Sequence, residues 1–398
     1  MSLIIRPVYI TTIFLLLFYI SPAQTTTIKN QQLIIQINNR LQTMVNTAFP
    51  SASKLTSQYA SSEYLITKYY KAVDFSFTKK TASSIIDQSG KATLHNIYGT
   101  DKLHGLEKII QIKTYDQYPG AAYFTVQYIN HSSKNIPVLK WVNNSYDIIT
   151  STDSTKFWSF MGSSNADRRD WIQKVNPGFY QKNYMGMNAS DYGGGIPIVD
   201  IWRKDAGIAI GHTETVPRLV SIPVDYDVYG NTAGIQVEYE YSEPFILNAD
   251  DTLTTYETFV YVHQKDCFST LSHFSNYMQT KGIKPASPEP GAFEPVWCAW
   301  GYERDFTVQQ ILNTLPKVKE LGIKWAGLDD GFQQAEGDWH TNKERFPNGD
   351  ADMKAFVDSI HANGMKAILW WAPLAADPGS NILKKDPNLT LLQKDGSP

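Results

Sequence analysis

A chain of 398 residues allows two or three domains of about 100–200 residues each, so a single small module is excluded. Hydrophobic residues make up 42%, charged ones 19% and aromatics 13%, which is enough apolar mass for a sizeable core and too little charge for a disordered chain. The formal net charge is −3 at pH 7 with no basic block, which removes nucleic acid and anionic lipid from the partners expected on electrostatic grounds.

At the N-terminus Arg6 precedes an apolar run over 8–20, and Ser21-Pro22-Ala23 then places small residues where a signal peptidase reads, just before Gln24. Residues 1–23 therefore read as a signal peptide. The alternative, a membrane anchor, needs roughly 20 apolar residues, and this run has about 13. The expected product is exported, periplasmic or released, with no membrane attachment after cleavage. Two cysteines, Cys267 and Cys298, are too few for a disulfide scaffold and read as free thiols. Cys298 lies in an apolar strand pattern, where cysteine behaves as a small hydrophobe.

Residues 24–283 read as short strands broken by turn residues, over 121–129, 136–142, 208–211, 234–241 and 256–263. Ile235, Val237, Tyr239 and Tyr241 share one face against Gln236, Glu238 and Glu240 on the other, the pattern of an antiparallel strand with one wet side. An N-terminal antiparallel β-sandwich is the economical reading. Gly193-Gly194-Gly195 before Ile196-Pro197 has neither the strand-to-helix context nor the Lys-Ser/Thr of a phosphate loop, and reads as a tight turn. A helix over 268–281 closes this domain, with Asp266 at its start, Phe268, Leu271, Phe274 and Met278 on one side, and Gly282 past its end.

Residues 284–295, rich in proline, form a linker. From 296 to 398 the periodicity changes to strand, helix, strand, helix, strand. Strands fall over 296–300, 323–329 and 365–371. Thr307 with Gln310 makes a capping box before Val308, Ile311, Leu312, Leu315, Val318 and Leu321, and a second helix over 352–363 turns Met353, Phe356, Val357 and Ile360 inward. Alternation of this kind makes a parallel sheet. An open nucleotide-binding sheet would carry a glycine-rich first turn, and Trp300-Gly301-Tyr302-Glu303-Arg304 is not one, so a (β/α)8 TIM barrel is favoured. A barrel takes about 250 residues, so this one is incomplete and Pro398 is expected to be a truncation point.

Active sites of barrels sit at the C-terminal ends of their strands. Here those ends carry Trp300, then Asp329-Asp330-Gly331, then Trp370-Trp371-Ala372-Pro373. Carboxylates accept hydrogen bonds from hydroxyls and indoles stack on apolar ring faces, a combination that suits a sugar. The plainer alternative has the aspartates capping a turn and the tryptophans filling the core. The 8 histidines are scattered without a ligand pair, so no metal is expected, and nothing calls for another cofactor.

The stretch from Pro295 onward resembles the catalytic barrel of the α-galactosidases of glycoside hydrolase family 36. The carrying motifs are Trp297-Cys298-Ala299-Trp300, Asp329-Asp330-Gly331-Phe332, Gly337-Asp338-Trp339, Phe346-Pro347 and Trp370-Trp371-Ala372-Pro373. The resemblance implies that Asp329 and Asp330 grip sugar hydroxyls while Trp300 and Trp370 line the same subsite. Gly301 stands where some members place an aromatic. The resemblance also implies a retaining mechanism whose nucleophile and acid/base, from later strands, lie beyond Pro398, so no catalytic residue is expected within the chain and the chain alone is expected to be inactive. The partner is then a carbohydrate, an α-galactoside oligosaccharide or polysaccharide, and oligomerisation is compatible with the sequence. An α-N-acetylgalactosaminide or another α-glycoside is the rival substrate, and a non-catalytic carbohydrate-binding protein the rival class.

Overall fold

The computed structural model describes residues 25–50, 54–56, 58–149, 157–161, 172–181, 184–185, 196–216, 218–227, 229, 232–284, 286–392 and 395–397. The signal peptide expected over 1–23 and the turn expected at Gly193-Gly194-Gly195 lie outside the described residues. The chain divides into two compact units, Met1–Lys284 and Pro285–Pro398.

The first unit is built from antiparallel strands in ten-, eight- and three-stranded sheets. Ile110, Ile112, Phe124 and Val126 of the ten-stranded sheet, Val138, Trp141, Ile148 and Val237 of the eight-stranded sheet and Ile35 and Val45 of the three-stranded one join a single buried cluster. Each fully buried aliphatic side chain contributes about 1.5–3 kcal/mol, so this cluster is what holds the sandwich together. The strands Ile136–Ile149 and Thr232–Leu247 pair at its centre, Trp141 opposite Tyr239. One residue departs from the expected alternation: Glu238 is buried, not on a wet side. Its carboxylate accepts from Lys140 Nζ at 3.1 Å and from Gln236 Nε2 at 2.9 Å, so burial leaves no unpaired charge.

Helix α1, Cys267–Thr280, lies on the outer face of the ten-stranded sheet, where Tyr277 and Met278 meet Tyr123, Ala209 and Phe259. Asp266 caps it by accepting from the Phe268 N–H at 3.1 Å. Gly282, at φ +90°, ends it, with Gly282 N–H donating to Gln279 O and Ile283 N–H to Met278 O, the pair of hydrogen bonds that a left-handed residue permits. Phe268 is 67% exposed, so it does not belong to the apolar side with Leu271, Phe274 and Met278. A half-buried acid ties α1 to the sheet. Glu257 accepts from Lys113 Nζ at 2.6 Å, Lys281 Nζ at 3.0 Å, Thr213 Oγ1 at 2.6 Å and Tyr277 Oη at 3.0 Å.

In the second unit the strands Val296–Cys298, Trp325–Leu328 and Lys366–Leu369 form a parallel sheet in chain order, with Val296 opposite Trp325 and Trp325 opposite Lys366. Helices α2, Val308–Glu320, and α3, Asp350–Ala362, connect them. The capping box of α2 is closed both ways: Gln310 N–H donates to Thr307 Oγ1 at 3.2 Å and Thr307 N–H to Gln310 Oε1 at 2.7 Å. Ile311, Leu315, Val318, Phe356 and Ile360 pack with Ala326 and Leu328 on one face of the sheet. Leu321, grouped with them by spacing, is 65% exposed. It is the C-cap of α2, past the last inward turn. On the other face Val296 and Ile368 are exposed. The first strand ends at Cys298, not Trp300, and the chain continues as a 3₁₀ segment, Ala299–Asp305. A hairpin of Gln333–Ala335 and Asp338–Thr341, with Gly337 at φ +85°, was not anticipated.

Burial by itself raises the Glu257 carboxyl, but Lys113, Lys281 and the hydrogen bonds outweigh it and hold the group down to about 2. Its folded value lies below its ordinary value of 4.5, so its contribution is complete above that value and is lost as pH falls towards 2. Glu257→Gln should therefore destabilise the protein by about 3 kcal/mol at pH 7. Thermal unfolding from pH 7 to 2 checks this: the wild-type advantage should shrink steadily below pH 4.5, and a constant gap would reject the assignment.

Candidate functional site

The loops that follow the first and second parallel strands are fastened together by one side chain. Arg345 Nε donates to Phe306 O at 3.1 Å, Nη1 to Gly331 O at 3.0 Å, and Nη2 to Arg304 O. Gly331 sits at φ +108°, and a Cβ there would stand 3.0 Å from the Arg304 carbonyl, so only glycine lets the two loops meet. Arg304 then turns its own guanidinium to Asp330 Oδ2, with Glu336 Oε1 at 3.6 Å.

The two adjacent carboxylates consequently differ. Asp330 is buried, and its other oxygen accepts from Gln333 Nε2 at 2.6 Å. Asp329 is half-buried; it accepts from the Asp330 N–H at 2.7 Å and from Cys298 Sγ at 2.8 Å. Cys298 is thus an exposed thiol with a carboxylate partner, not the small hydrophobe expected inside the strand. Both cysteines are free, as expected, and Cys267 is buried.

Trp300 is 46% exposed in the 3₁₀ segment. Trp370 N–H donates to Leu328 O at 2.8 Å, which prolongs the pairing of the second and third strands and sets Trp370 at the same end as Asp329. Its ring lies 5.9 Å from that of Trp339, and Trp371 meets Trp339 edge-on at 6.4 Å. Trp339, Arg304 and Cys298 are the contributors that sequence reasoning left without a role. Trp339 was visible as the end of Gly337-Asp338-Trp339, whereas an arginine in a short loop and a cysteine at the end of a three-residue strand carry no periodic signal. Asp338 accepts from Asn381 N–H at 2.7 Å and so caps the short helix Asn381–Lys385, and Phe346 packs edge-on against Phe356 in the core. Those two motifs support the site from behind. Among the described residues no three His, Cys, Asp or Glu side chains could hold one metal ion.

An antiparallel sandwich is followed in sequence by parallel βα units, and carboxylates and indoles stand at or just past the strand ends. The melibiase family model matches residues 260–397. Over 301 residues, 74% of the chain, the sequence is 27% identical to an A type blood α-D-galactosamine galactosaminidase of Flavonifractor plautii, of which it covers 27%. Over 91 residues, 21% of the chain, it is 33% identical to α-galactosidase Mel36A of Lactobacillus acidophilus, of which it covers 12%. In structure, 95% of the chain superposes on the α-galactosidase of Lactobacillus brevis with a TM-score of 0.54 at 14% identity, covering 58% of that enzyme. Residues 260–397 are thus similar to the melibiase family, the chain shares the fold of the Lactobacillus brevis structure, and it spans about a quarter or less of the curated relatives named here.

Desolvation, followed by the hydrogen bond to Asp329, pushes the Cys298 thiol up. A thiol reacts as its thiolate, so Cys298 should be alkylated by iodoacetamide at pH 7.5 more slowly than an unhindered peptide thiol. Asp329→Asn should recover part of that rate, read by peptide mass spectrometry with buried Cys267 as the unreactive internal standard. Equal rates in the two proteins would remove Asp329 as the cause.

Proposed function

We propose that this chain supplies the sandwich and the first three βα units of the catalytic (β/α)8 barrel of an exported, retaining glycoside hydrolase that removes terminal α-galactosyl groups. The observation that carries the reading is the placement of Trp300, Asp329, Asp330 and Trp370 at or just past three neighbouring parallel strand ends, within motifs that resemble those of family 36. A second observation supports the unfinished barrel. One face of the three-stranded sheet is packed on α2 and α3, while Val296 and Ile368 on the other are exposed, and the first and third strands each pair with one neighbour among the described residues. Closure of a barrel covers such a face and such edges.

In this reading Asp329 and Asp330 accept hydrogen bonds from sugar hydroxyls, and Trp300 and Trp370 cover apolar faces of the ring. They do not serve as the reacting pair. Retaining chemistry needs carboxyl groups about 5–5.5 Å apart across the scissile bond, and these two come from consecutive residues with both Asp330 oxygens already committed. The nucleophile and the acid/base come from outside the 398 residues. The nucleophile attacks the anomeric carbon while the acid protonates the departing oxygen; water, deprotonated by the same acid/base, then releases the sugar with its configuration retained. The Flavonifractor relative favours a second reading, in which the substrate is an α-galactosaminide.

The test uses the full-length protein with nitrophenyl α-galactoside and nitrophenyl α-galactosaminide. Turnover with retention is expected on one of them, and absence of turnover on both would falsify the proposal. Asp329→Asn and Asp330→Asn should each lower kcat/KM roughly 10- to 100-fold by loss of charge-assisted bonds. Asp330→Asn should also lower the melting temperature, because Arg304 loses its anchor. An activated fluoro-sugar should label an aspartate outside residues 1–398, and label on Asp329 or Asp330 would reverse their roles.

Export has its own check. Mature protein from a secreting host should begin at Gln24, and mass spectrometry that finds Met1 on folded secreted material would reject the leader.

A further inference from the structure

The outer face of the ten-stranded sheet is covered unevenly. Helix α1 packs over Ala121–Asn130, Thr258–His263 and Gly207–His212, burying Tyr123, Phe259 and Ala209. Beyond it the same face continues over the strands Ile198–Trp202, Phe157–Met161 and Ile172–Val175. One row crosses these three: Trp202 stands directly opposite Trp158, and Trp158 directly opposite Lys174. Trp158 is 37% exposed, Trp202 half-buried and Lys174 exposed. With Lys204, Gln264 and Lys265 they line a groove of about 560 Å³, within the roughly 300–1,000 Å³ of small-ligand sites.

We propose that this row is a binding site for an acidic oligosaccharide, one whose pyranose rings carry carboxylates. Two indoles on adjacent strands, about 4.8 Å apart in backbone, present flat apolar surfaces at the spacing of one or two sugar rings. An exposed ring such as Trp158 gains nothing on a sheet face in water, and neither indole belongs to the sandwich core. The charges of the groove run one way. Arg203 at its floor is already matched, donating to Asp205 Oδ1 at 2.6 Å and to Ile149 O at 2.7 Å. Lys174, Lys204 and Lys265 then stand as surplus positive charge, because no carboxylate lines the groove among the described residues. That surplus is local, since the whole chain carries −3. Lys174 Nζ rests 5.0 Å from the Trp158 ring centre, which holds its charge at the rim where a sugar carboxylate meets it while the sugar ring lies along the indoles. The glutamine amide supplies donors and an acceptor for hydroxyls.

Calorimetry of the full chain with a hexamer of galacturonic acid tests the assignment, with an uncharged galactohexaose and a glutamate hexapeptide as the neutral-sugar and charge-only probes. Saturable binding of the uronate hexamer is expected, about tenfold or more weaker in 0.5 M NaCl than in 0.05 M, with no measurable heat from either control at the same concentration. Trp158→Ala and Trp202→Ala should each weaken it about tenfold, and Lys174→Gln should weaken it and flatten its salt dependence. If Trp202→Ala fails to fold, Trp158→Ala and Lys174→Gln decide. No saturable binding of the uronate, equal binding of either control, or unchanged affinity in Trp158→Ala and Lys174→Gln would each overturn the site. A change in oligomeric state of Trp158→Ala without a change in affinity would also do so, by making the row a contact between copies.

Discussion

One guanidinium determines what the strand ends of the second unit can present. Three backbone carbonyls, of Arg304, Phe306 and Gly331, converge on Arg345, and without a cation their dipoles would face one another across the junction of two loops. Arginine suits this because its donors lie in one rigid plane and stay charged at any physiological pH. A lysine would bring the charge without the fork. The approach also requires Gly331, so the glycine of Asp329-Asp330-Gly331 and an arginine fourteen residues later are halves of one device. Trp300, Asp329 and Asp330 are positioned as a consequence, since the loops that carry them cannot drift apart while the junction holds.

What was legible in the sequence was what depends on neighbours along the chain. The capping box at Thr307 and Gln310, the inward stripe of α2 and the alternating faces of the sandwich are local patterns, and they appear where the spacing put them. The departures share a physical cause: each depends on a partner distant in sequence. Glu238 is inside because Lys140 of another strand meets it. Cys298 is outside because its strand is three residues long and its thiol has Asp329 to bond. Phe268 and Leu321 fit the helical period but sit at helix ends, where the period no longer determines which way a side chain faces. At the site, sequence motifs located the carboxylates and indoles. The Arg304 and Arg345 contacts that arrange them span loops and were invisible.

In the sandwich, the strand Ala121–Asn130 illustrates why the rule of one wet face fails in part of a sheet. Phe124 and Val126 enter the common core, while Ala121 and Tyr123 on the reverse side are equally buried under α1. Tyr123 stacks on Tyr277 at 3.9 Å, and Tyr261 stacks on His273 at 4.2 Å. Burial pushes His273 down to about 4, so at neutral pH it enters this layer as an uncharged ring. The polar groups under the helix are matched one by one: Glu257 by two lysines, Asp200 by Thr270 Oγ1 at 2.7 Å and His263 Nε2 at 3.0 Å. Such pairs add less to stability than their number suggests, because each charge has been taken out of water. What they add is register, since α1 cannot slide along an apolar sheet face without stranding both acids.

The two aspartates of the candidate site also differ in how fully they are matched. A carboxylate offers about four lone-pair positions, and what matters for a ligand is how many stay open to solvent. Asp330 has one oxygen on a guanidinium and the other on an amide, and it is buried; removing either partner would leave a charge in a poor solvent. It is therefore a strut first, and any sugar hydroxyl it accepts is an addition to contacts it already needs. Asp329 is held more loosely, by a backbone N–H of its own turn and by a thiol, which is a weak donor. Under the proposed function a sugar hydroxyl, a better donor than a thiol, takes the place of Cys298 at Asp329 Oδ2 more readily than it takes that of the Arg304 guanidinium at Asp330. Of two chemically identical neighbours, then, Asp329 is the one that the proposed reading gives to a ligand, because its present partner is weak, and Asp330 is the one that keeps the loop in shape.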